Sequence, residues 1–266
     1  MDCETDEKPE EVAKEESPLN TGKTGVPDFE LLVTHLGQFG PFQRWLYFAL
    51  WIPAASMAIG IYASVFLEFI PNFHCSSTCL RDAPALALKV KDSACTIPNS
   101  WINGSDCTYV TEEVTPCQEF AYDQTMFTRT VITDFNAVCD QSYLKTVSST
   151  VYMSGMLFGS FIFGWISDSF GRRTAFTLGI LALSIGSTLG AFSTNYYMYM
   201  AFRFVTSMGG MASFMTSFVL ATEFVGTKYR TLCGILIEIP FALGELYLCF
   251  LAYFIRDWQI LQVMNY

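Results

Sequence analysis

The sequence predicts an all-α membrane protein, and three observations lead to that fold class. More than half of the 266 residues are hydrophobic and only 15% are charged, whereas soluble domains carry about 25% charged residues. Apolar runs of about 20 residues, each long enough to cross a bilayer as a helix, recur along the chain. The first 44 residues are acidic and polar, without the basic region and apolar core of a signal peptide.

Five segments have the length and composition of transmembrane helices. The predicted spans are residues 46–70, 147–165, 174–192, 196–223 and 232–255, and residues 258–266 form the beginning of a sixth. The chain is thereby divided into an acidic tail (1–45), a first transmembrane helix (46–70), a long loop (71–146) and a second membrane region (147–266). The expected architecture is a helical bundle with one large loop after its first helix.

Basic residues in the short loops orient this bundle. Arg172, Arg173, Lys228 and Arg230 follow the second and fourth predicted spans, whereas the loop after the third span carries no base. Because Lys and Arg favour the cytoplasmic side of a membrane, the N-terminus is expected in the cytoplasm. The loop 71–146 is then expected outside the cell.

The chemistry of the long loop agrees with an external position. It contains the only glycosylation sequon, at Asn103, and six of the nine cysteines: Cys75, Cys79, Cys95, Cys107, Cys117 and Cys139. An even number of cysteines in an oxidising space predicts disulfide bonds, with fifteen possible connectivities. A zinc site is the alternative, since Cys75 and Cys79 are closely spaced, but His74 is the only histidine nearby. We therefore expect disulfides and no metal.

The N-terminal tail is expected to be disordered over residues 1–27, where charged residues alternate with Pro and Gly. Apolar residues at helical spacing then predict a short amphipathic helix: Phe29, Leu32, Val33 and Leu36. Residues 1–44 hold ten acids against four bases, and residues 71–146 hold nine against five. This acidic balance argues against nucleic acid and anionic lipid as partners.

Small residues within the predicted spans indicate close helix packing. Gly155 and Gly159 in the second span are four residues apart, as are Gly186 and Gly190 in the third. Such pairs let two helices approach closely in lipid, where no hydrophobic force drives helices together.

Four ionisable residues lie at membrane depth, where each costs about 2.5–3.5 kcal/mol on insertion scales and so usually faces a cavity or a partner. Arg203 lies in the fourth predicted span, and Glu238 and Glu245 share one face of the fifth. Two carboxylates on one face predict a cavity that favours cations. The alternative is structural: one carboxylate pairs with Arg203 and the other is hydrogen-bonded. Glu68 ends the first span, and we expect its side chain to extend to the interface without a role.

The most informative segment is GWISDSFGRR, residues 164–173, between the second and third predicted spans. It concentrates an aspartate, Asp168, and two adjacent arginines, Arg172 and Arg173, beside glycines that permit a tight reversal of the backbone. Glu223 and Arg230 then follow the fourth span on the same side. Networks of both charge signs at helix ends can hold one rigid-body arrangement and release in another, which suits alternating access.

This segment resembles the loop between the second and third helices of the major facilitator superfamily, at Gly164, Asp168, Gly171, Arg172 and Arg173. It departs at Ser169, where the family usually has arginine, and the pair Glu223 and Arg230 resembles the companion motif after helix four. The cysteine-rich loop, with the stretches THLGQFGPFQRW, FAYDQTMFTRTVITDFNAVCD and RFVTSMGGMASFMTSFVLATEFVG, narrows the resemblance to organic-ion transporters. Among these, the organic cation carriers are the most similar.

The resemblance implies a carrier with an aromatic-lined cavity between two six-helix halves. By this analogy Phe214 and Phe218 are expected to face the substrate, with Tyr152 as a further candidate. Aromatic faces attract organic ammonium groups by about 0.5–2 kcal/mol. Packing against lipid or the protein core is the alternative for all three.

The function expected is secondary transport of organic ions, organic cations first, across the plasma membrane by alternating access. Organic anions or zwitterions such as carnitine are the alternative substrates. Since five helices and a fragment replace the family's twelve, the chain is expected to be truncated, and a non-transporting chain that associates with a full-length carrier is the alternative of another class. We expect a small organic ion, the lipid bilayer and a second copy bound through the external loop as partners, no cofactor, and no enzymatic activity.

Overall fold

The computed structural model describes residues 40–75, 95–98, 114–117, 119–225 and 227–265. The predicted disordered tail and amphipathic helix lie outside these residues. Five helical segments are long and apolar enough to cross a membrane: Gln43–Leu67, Cys139–Phe170, Arg172–Ala191, Tyr196–Glu223 and Arg230–Phe254. We call these the first to fifth spans. The chain is therefore an all-α multi-pass membrane protein, as the sequence predicted.

The individual helices follow in chain order. They are α1 (Pro41–Ala49), α2 (Trp51–Leu67), α3 (Val131–Asp134), α4 (Tyr143–Phe170), α5 (Arg172–Ala191), α6 (Tyr196–Glu223), α7 (Thr227–Leu236), α8 (Glu238–Phe254) and α9 (Trp258–Met264). The first span is divided between α1 and α2, and the fifth between α7 and α8. Each break falls three residues before a proline, Pro53 or Pro240, because a proline ring clashes with the carbonyl four residues earlier in a continuous helix.

The two ends of the bundle differ in chemistry. One end, which we call the disulfide end, carries the long loop and the start of α4. The other, the motif end, carries the junction of α4 and α5 and the end of α6. The second span was predicted to stop at residue 165, but α4 continues to Phe170.

The fourth span lies at the centre of the bundle and packs against α5, α4 and α2. Glycines make these crossings close. A Cβ atom at Gly155 would meet Ser207 Oγ, and one at Gly159 would lie 2.8 Å from the backbone of Met208. Gly186 lies equally close to Thr206. The predicted small-residue packing in the second and third spans is thus confirmed.

Within the described residues, buried apolar side chains form two cores, one at each end of the bundle. At the disulfide end, residues of the first, fourth and fifth spans pack around Tyr199, Leu248 and Trp258. At the motif end, Tyr47, Ala221 and Ile237 belong to a second core, and the Tyr47 hydroxyl donates to the carbonyl of Cys233 at 2.6 Å. This bond fixes α1 against α7.

The described part of the long loop contains four short strands. β1 (Phe73–Cys75) pairs antiparallel with β4 (Phe120–Tyr122), with His74 opposite Ala121, and β2 (Thr96–Pro98) pairs antiparallel with β3 (Val114–Pro116), with Ile97 opposite Thr115. Two disulfides join these strands to their surroundings: Cys75–Cys117 and Cys95–Cys139. The second bond connects the loop to the beginning of the second span.

A polar clamp attaches the segment before α4 to the segment after α8. Arg129 binds both carboxylate oxygens of Asp134, at 3.1 and 2.6 Å, and approaches Asp257 at 3.6 Å. The indole of Trp258 donates to Asp134 at 2.8 Å. The hydrogen bond and charge of Asp134 raise the pKa of Arg129. The loop is thereby held on the end of the bundle.

Candidate functional site

The site at the motif end is built on a one-residue break between two helices. α4 ends at Phe170, α5 begins at Arg172, and Gly171 between them has φ +91° and ψ 155°. This region of backbone conformation is essentially open to glycine alone. The expectation that both glycines of the motif serve a tight reversal of the backbone is wrong for Gly164, which lies within α4. Asp168 and Arg172 are therefore held by rigid helices.

Arg172 connects three helix ends. Its Nη1 donates to Asp168 Oδ1 at 2.5 Å and to Ser167 Oγ at 2.9 Å, both at the end of α4. Its Nε lies 3.4 Å from Glu223 Oε1 at the end of α6. Between α4 and α6, a groove of about 240 Å³ is lined by Asp168 and Arg172 together with Met215 and other residues of both helices.

The remaining motif residues have different positions. Arg230 donates from Nε to the carbonyl of Thr222 at 3.1 Å, so it caps the end of α6 while the neighbouring carboxylate of Glu223 binds Arg172. Arg173 is exposed. The sequence predicted one network containing all these charges. The structure brings Asp168, Arg172 and Glu223 into direct contact and places Arg230 beside them.

A second candidate site lies where the first, fourth and fifth spans meet. The ring of Phe241 in α8 lies 6.4 Å from Phe214 in α6 and 6.5 Å from Tyr62 in α2, both in edge-on contact. Glu238 and Glu245 lie three residues before and four residues after Phe241. Positions with that spacing share one face of a helix. The two predicted carboxylates therefore flank an aromatic cluster.

The surroundings of these carboxylates are open. Glu238 is exposed and Glu245 half-buried, and none of the ion pairs among the described residues includes either of them. Phe218, one helical turn after Phe214, is 38% exposed, and its ring would lie 3.9 Å from a Cβ atom added at Gly234 in α7. Sequence reasoning missed Phe241 and Tyr62, although Phe241 has helical spacing from both carboxylates.

Arg203 and Tyr152 lie in a third cluster, which is buried near the disulfide end. The guanidinium carbon of Arg203 lies 4.6 Å from the ring centroid of Tyr152 and 5.9 Å from that of Tyr199. Both Arg203 and Tyr152 are buried. A face of Tyr152, considered above for substrate binding, is thus occupied by the chain's own cation, and these two residues are separate from the Phe241 cluster.

The same cluster corrects the expectation for Glu68. The side chain was expected to extend to the interface, but Glu68 is only 1% exposed. Ser148 Oγ donates to its Oε1 at 2.6 Å, and the Tyr199 hydroxyl donates to the same atom at 3.4 Å. From its position at the end of an apolar segment, the side chain of Glu68 was expected to reach solvent. Its hydrogen-bond partners lie 80 and 131 positions later in the chain, so the sequence near Glu68 does not reveal them.

The residues predicted for the external loop are partly outside the described structure. Cys79, Cys107 and the sequon at Asn103 are among them. Cys75, proposed above as a candidate zinc ligand, is bonded to Cys117. Within the described ranges, no group of three or more His, Cys, Asp or Glu side chains has the geometry to hold a metal ion.

Comparison with known proteins places the chain in a class. Residues 97–260, more than half of the chain, match the family described as sugar (and other) transporter. The chain belongs to this family, and the relatives that it matches include an organic cation transporter protein and members of solute carrier family 22. The resemblance found in the sequence is thereby confirmed.

The chain is also similar to individual transporters whose names are more specific than that of the family. The chain is 30% identical over 247 residues to an organic cation transporter protein of Drosophila melanogaster, covering 88% of this chain and 45% of the relative. It is 33% identical over 255 residues to solute carrier family 22 member 6 of Danio rerio (87% and 45%). It is 28% identical over 277 residues to a beta-alanine transporter of Drosophila melanogaster (89% and 45%). The chain thus spans about half the length of the curated relatives it matches.

Proposed function

We propose that this chain is part of a secondary transporter that moves small organic ions, organic cations first, across the plasma membrane by alternating access. The motif end and the N-terminus lie in the cytoplasm, and the disulfide end lies outside the cell. The substrate contacts the aromatic cluster of the first, fourth and fifth spans. The loop at the disulfide end, where a second copy of the chain would bind, stays outside.

The observation that carries this proposal is the stripe of Glu238, Phe241 and Glu245 on α8. Phe241 contacts Phe214 and Tyr62, so three aromatic rings from three spans converge beside two carboxylates. An organic ammonium ion gains from ring faces by cation–π attraction and from carboxylates by charge. Carboxylates at membrane depth are costly unless they face a cavity or a partner, and the described residues provide no cation for either of them.

The contacts of Arg172 supply the second part of the mechanism. Asp168, Arg172 and Glu223 join the ends of the second, third and fourth spans, so these helices move together as one rigid group. Alternating access requires such a group to rotate as a unit around a substrate site near the middle of the membrane.

Transport of a zwitterion or an anion is the alternative, and the relative named as a beta-alanine transporter favours the first of these. A zwitterion presents an ammonium group to the same carboxylates and needs an additional partner for its own carboxylate. An anion is repelled by Glu238 and Glu245. Uptake of substrates with different charges therefore distinguishes transport of a cation, a zwitterion or an anion.

Uptake measurements test the proposal. Cells expressing the chain are given labelled tetraethylammonium, beta-alanine or an aromatic carboxylate, and surface display is measured in parallel. We expect uptake of the quaternary ammonium. It should fall by about tenfold or more in the double variant Glu238→Gln and Glu245→Gln, since each 1.4 kcal/mol of lost interaction is a factor of ten.

Two matched controls sharpen the result. Glu119→Gln removes an exposed carboxylate of the external loop and should leave uptake unchanged. Phe241→Leu should weaken uptake, whereas Phe250→Leu, on the opposite face of α8 where Phe250 is 62% exposed, should not. Surface display without uptake of any of the three probes contradicts transport by this chain and favours a non-transporting protein that associates with a full-length carrier.

A further inference from the structure

The helix α9 contacts the bundle through a buried polar side chain. Gln262 of α9 donates from Nε2 to the carbonyl of Ser187 in α5 at 3.0 Å. Gly190 lies three residues after Ser187, and a Cβ atom there would lie 2.7 Å from the same amide nitrogen. The glycine therefore leaves the space that the amide of Gln262 occupies. Because the hydrogen bond fixes the direction of this amide, its Oε1 remains available as an acceptor.

A small polar cavity lies beside this contact, and we call it the α9 cavity. It has a volume of about 10 Å³ and is lined, besides two apolar side chains of α2, by Ser187, Arg203, Thr206, Gln262 and Asn265. The smallest cavity that accommodates one water molecule has a volume of about 10–15 Å³. The α9 cavity therefore has room for a single ligand of the size of water.

Three side chains of the α9 cavity are buried and carry polar atoms without a hydrogen bond. They are Ser187, Gln262 and Asn265, which are 1%, 4% and 6% exposed. Among the described residues, no group is hydrogen-bonded to Ser187 Oγ, to Gln262 Oε1 or to either amide atom of Asn265. Buried polar groups nearly always have a partner, and that partner is often an ordered water. These atoms therefore define a site for a ligand that both donates and accepts hydrogen bonds.

We propose that the α9 cavity binds one ordered water molecule, which bridges α5 to the end of α9. The water donates to Gln262 Oε1 and to Asn265 Oδ1, and it accepts from the hydroxyl of Ser187. About three hydrogen bonds are typical of a buried water. A water-mediated hydrogen bond is nearly as favourable in enthalpy as a direct one. The water thus strengthens the contact that Gln262 makes with α5, and it holds the start of the sixth predicted span on the third span.

Water matches the chemistry of this cavity better than an ion does. Arg203 lines the same cavity, and its positive charge repels a metal cation or an ammonium group. An anion would meet Gln262 Oε1, an acceptor whose direction is fixed by the bond from Nε2 to Ser187. Water is neutral, and it presents hydrogens to the amide oxygens and an oxygen to the hydroxyl. The site therefore differs in chemistry from the aromatic and carboxylate cluster proposed for the substrate.

A crystal structure tests the site without requiring transport. Crystals of the chain are grown from a lipid phase in bromide buffer, to a resolution that shows ordered water. We expect a density peak at about 2.5–3.0 Å from Gln262 Oε1 and from Ser187 Oγ, without the anomalous signal of bromide. The peak should be missing in Gln262→Met, which keeps the length of the side chain but lacks the amide. It should remain in Gln259→Met, since Gln259 lies three residues earlier in α9 and does not line the cavity.

Three results of this experiment overturn the proposal. They are the absence of a peak in the unmodified chain, a peak that persists in Gln262→Met, and an anomalous signal at the site, which would assign the cavity to an anion.

Unfolding in detergent provides a second measurement, which does not depend on crystals. Ser187→Ala and Asn265→Ala are made separately and together. If one water joins the two side chains, the double variant should lower the unfolding midpoint by less than the sum of the single variants, because the water is lost only once. Ser193→Ala combined with Asn265→Ala is the matched control, and its shifts should add. Ser193 is also buried, and its hydroxyl has no partner among the described residues, but it does not line the cavity. Additive shifts in the Ser187 pair contradict a shared water.

Discussion

Arg172 and Glu223 are 51 residues apart in the chain, yet the guanidinium Nε of Arg172 lies 3.4 Å from a carboxylate oxygen of Glu223. The contact closes the motif end, because α5 begins with Arg172 and α6 ends with Glu223. The same guanidinium holds Asp168 at the end of α4. One arginine therefore fixes the relative positions of three spans.

This contact predicts a measurable coupling between the two residues. Arg172→Gln and Glu223→Gln, made separately and together, should show a small favourable coupling in the free energy of unfolding, because partly exposed ion pairs contribute little. Thermal or denaturant unfolding in detergent provides the measurement. Arg173→Gln combined with Glu223→Gln is the control, and its effects should be additive. Additive effects in the Arg172 cycle would show that the contact contributes nothing to the stability of the protein.

The glycine break predicts different outcomes for two glycines of one motif. Gly171→Ala should destabilise the protein by about 1–3 kcal/mol, because alanine is strained at φ +91°. Gly164→Ala should be neutral or stabilise by up to about 1 kcal/mol, since Gly164 lies in a helix and a Cβ there meets nothing within 4 Å. The melting temperatures of the two variants measure the difference. The helical assignment of residue 164 would be contradicted if both substitutions were equally harmful.

Two adjacent glycines at the centre of the bundle provide a second matched pair. A Cβ at Gly209 would contact the backbone of Leu183 and Gly179, whereas one at Gly210 would meet the flexible side chain of Met57 at 3.3 Å. Gly209→Ala should therefore cost about 1–3 kcal/mol because two helices must separate, and Gly210→Ala should cost clearly less. Detergent unfolding of the variants distinguishes them. A smaller cost at residue 209 than at residue 210 would show that the third and fourth spans cross elsewhere.

The loop predicts a specific disulfide connectivity. Cys75→Ser should expose the thiol of Cys117 to a maleimide reagent, since these two cysteines are bonded, and it should leave Cys139 unreactive. Removal of the bond should cost about 2–5 kcal/mol, and the double variant Cys75→Ser with Cys117→Ser should cost little more. Mass spectrometry of the labelled peptides identifies the reactive cysteine. Labelling of Cys95 or Cys139 in Cys75→Ser would establish a different pairing.

The fold was predictable from the sequence where the physical cause is local. Apolar runs, loop charges and glycine pairs identified five spans, the fourth with the bounds 196–223 that the structure shows. The predicted end of the second span was less accurate. Asp168 and Ser169 are polar, so the apolar run on which the prediction was based ends at residue 165. The helix continues beyond residue 165 because these polar residues lie at the end of the bundle, where they are not in contact with lipid and their polarity carries no cost.

The candidate site was predictable only in part. The charges of the motif were recognised, and the contacts among Asp168, Arg172 and Glu223 agree with the network expected. Tyr152 was considered together with Phe214 by analogy with the organic cation carriers, yet Tyr152 lies against Arg203 and Phe214 makes an edge-on contact with Phe241. The spacing of residues along one helix predicts which of them share a face, but it does not predict which neighbouring helix packs against that face.

The sequence by itself predicted the five apolar segments that form membrane-length helices in the described part of the chain, the family that the chain resembles and the residues that carry charge. The membrane-length segments follow from the free energy of transferring each segment from water to lipid, which is a sum of contributions from neighbouring residues in the sequence. Only the tertiary structure decided that Glu68 is buried, that Arg203 faces Tyr152 and Tyr199, and that Phe241 contacts Phe214 and Tyr62. These contacts join helices that are distant in the chain, and helix packing in lipid depends on close fit and interhelical hydrogen bonds rather than on hydropathy.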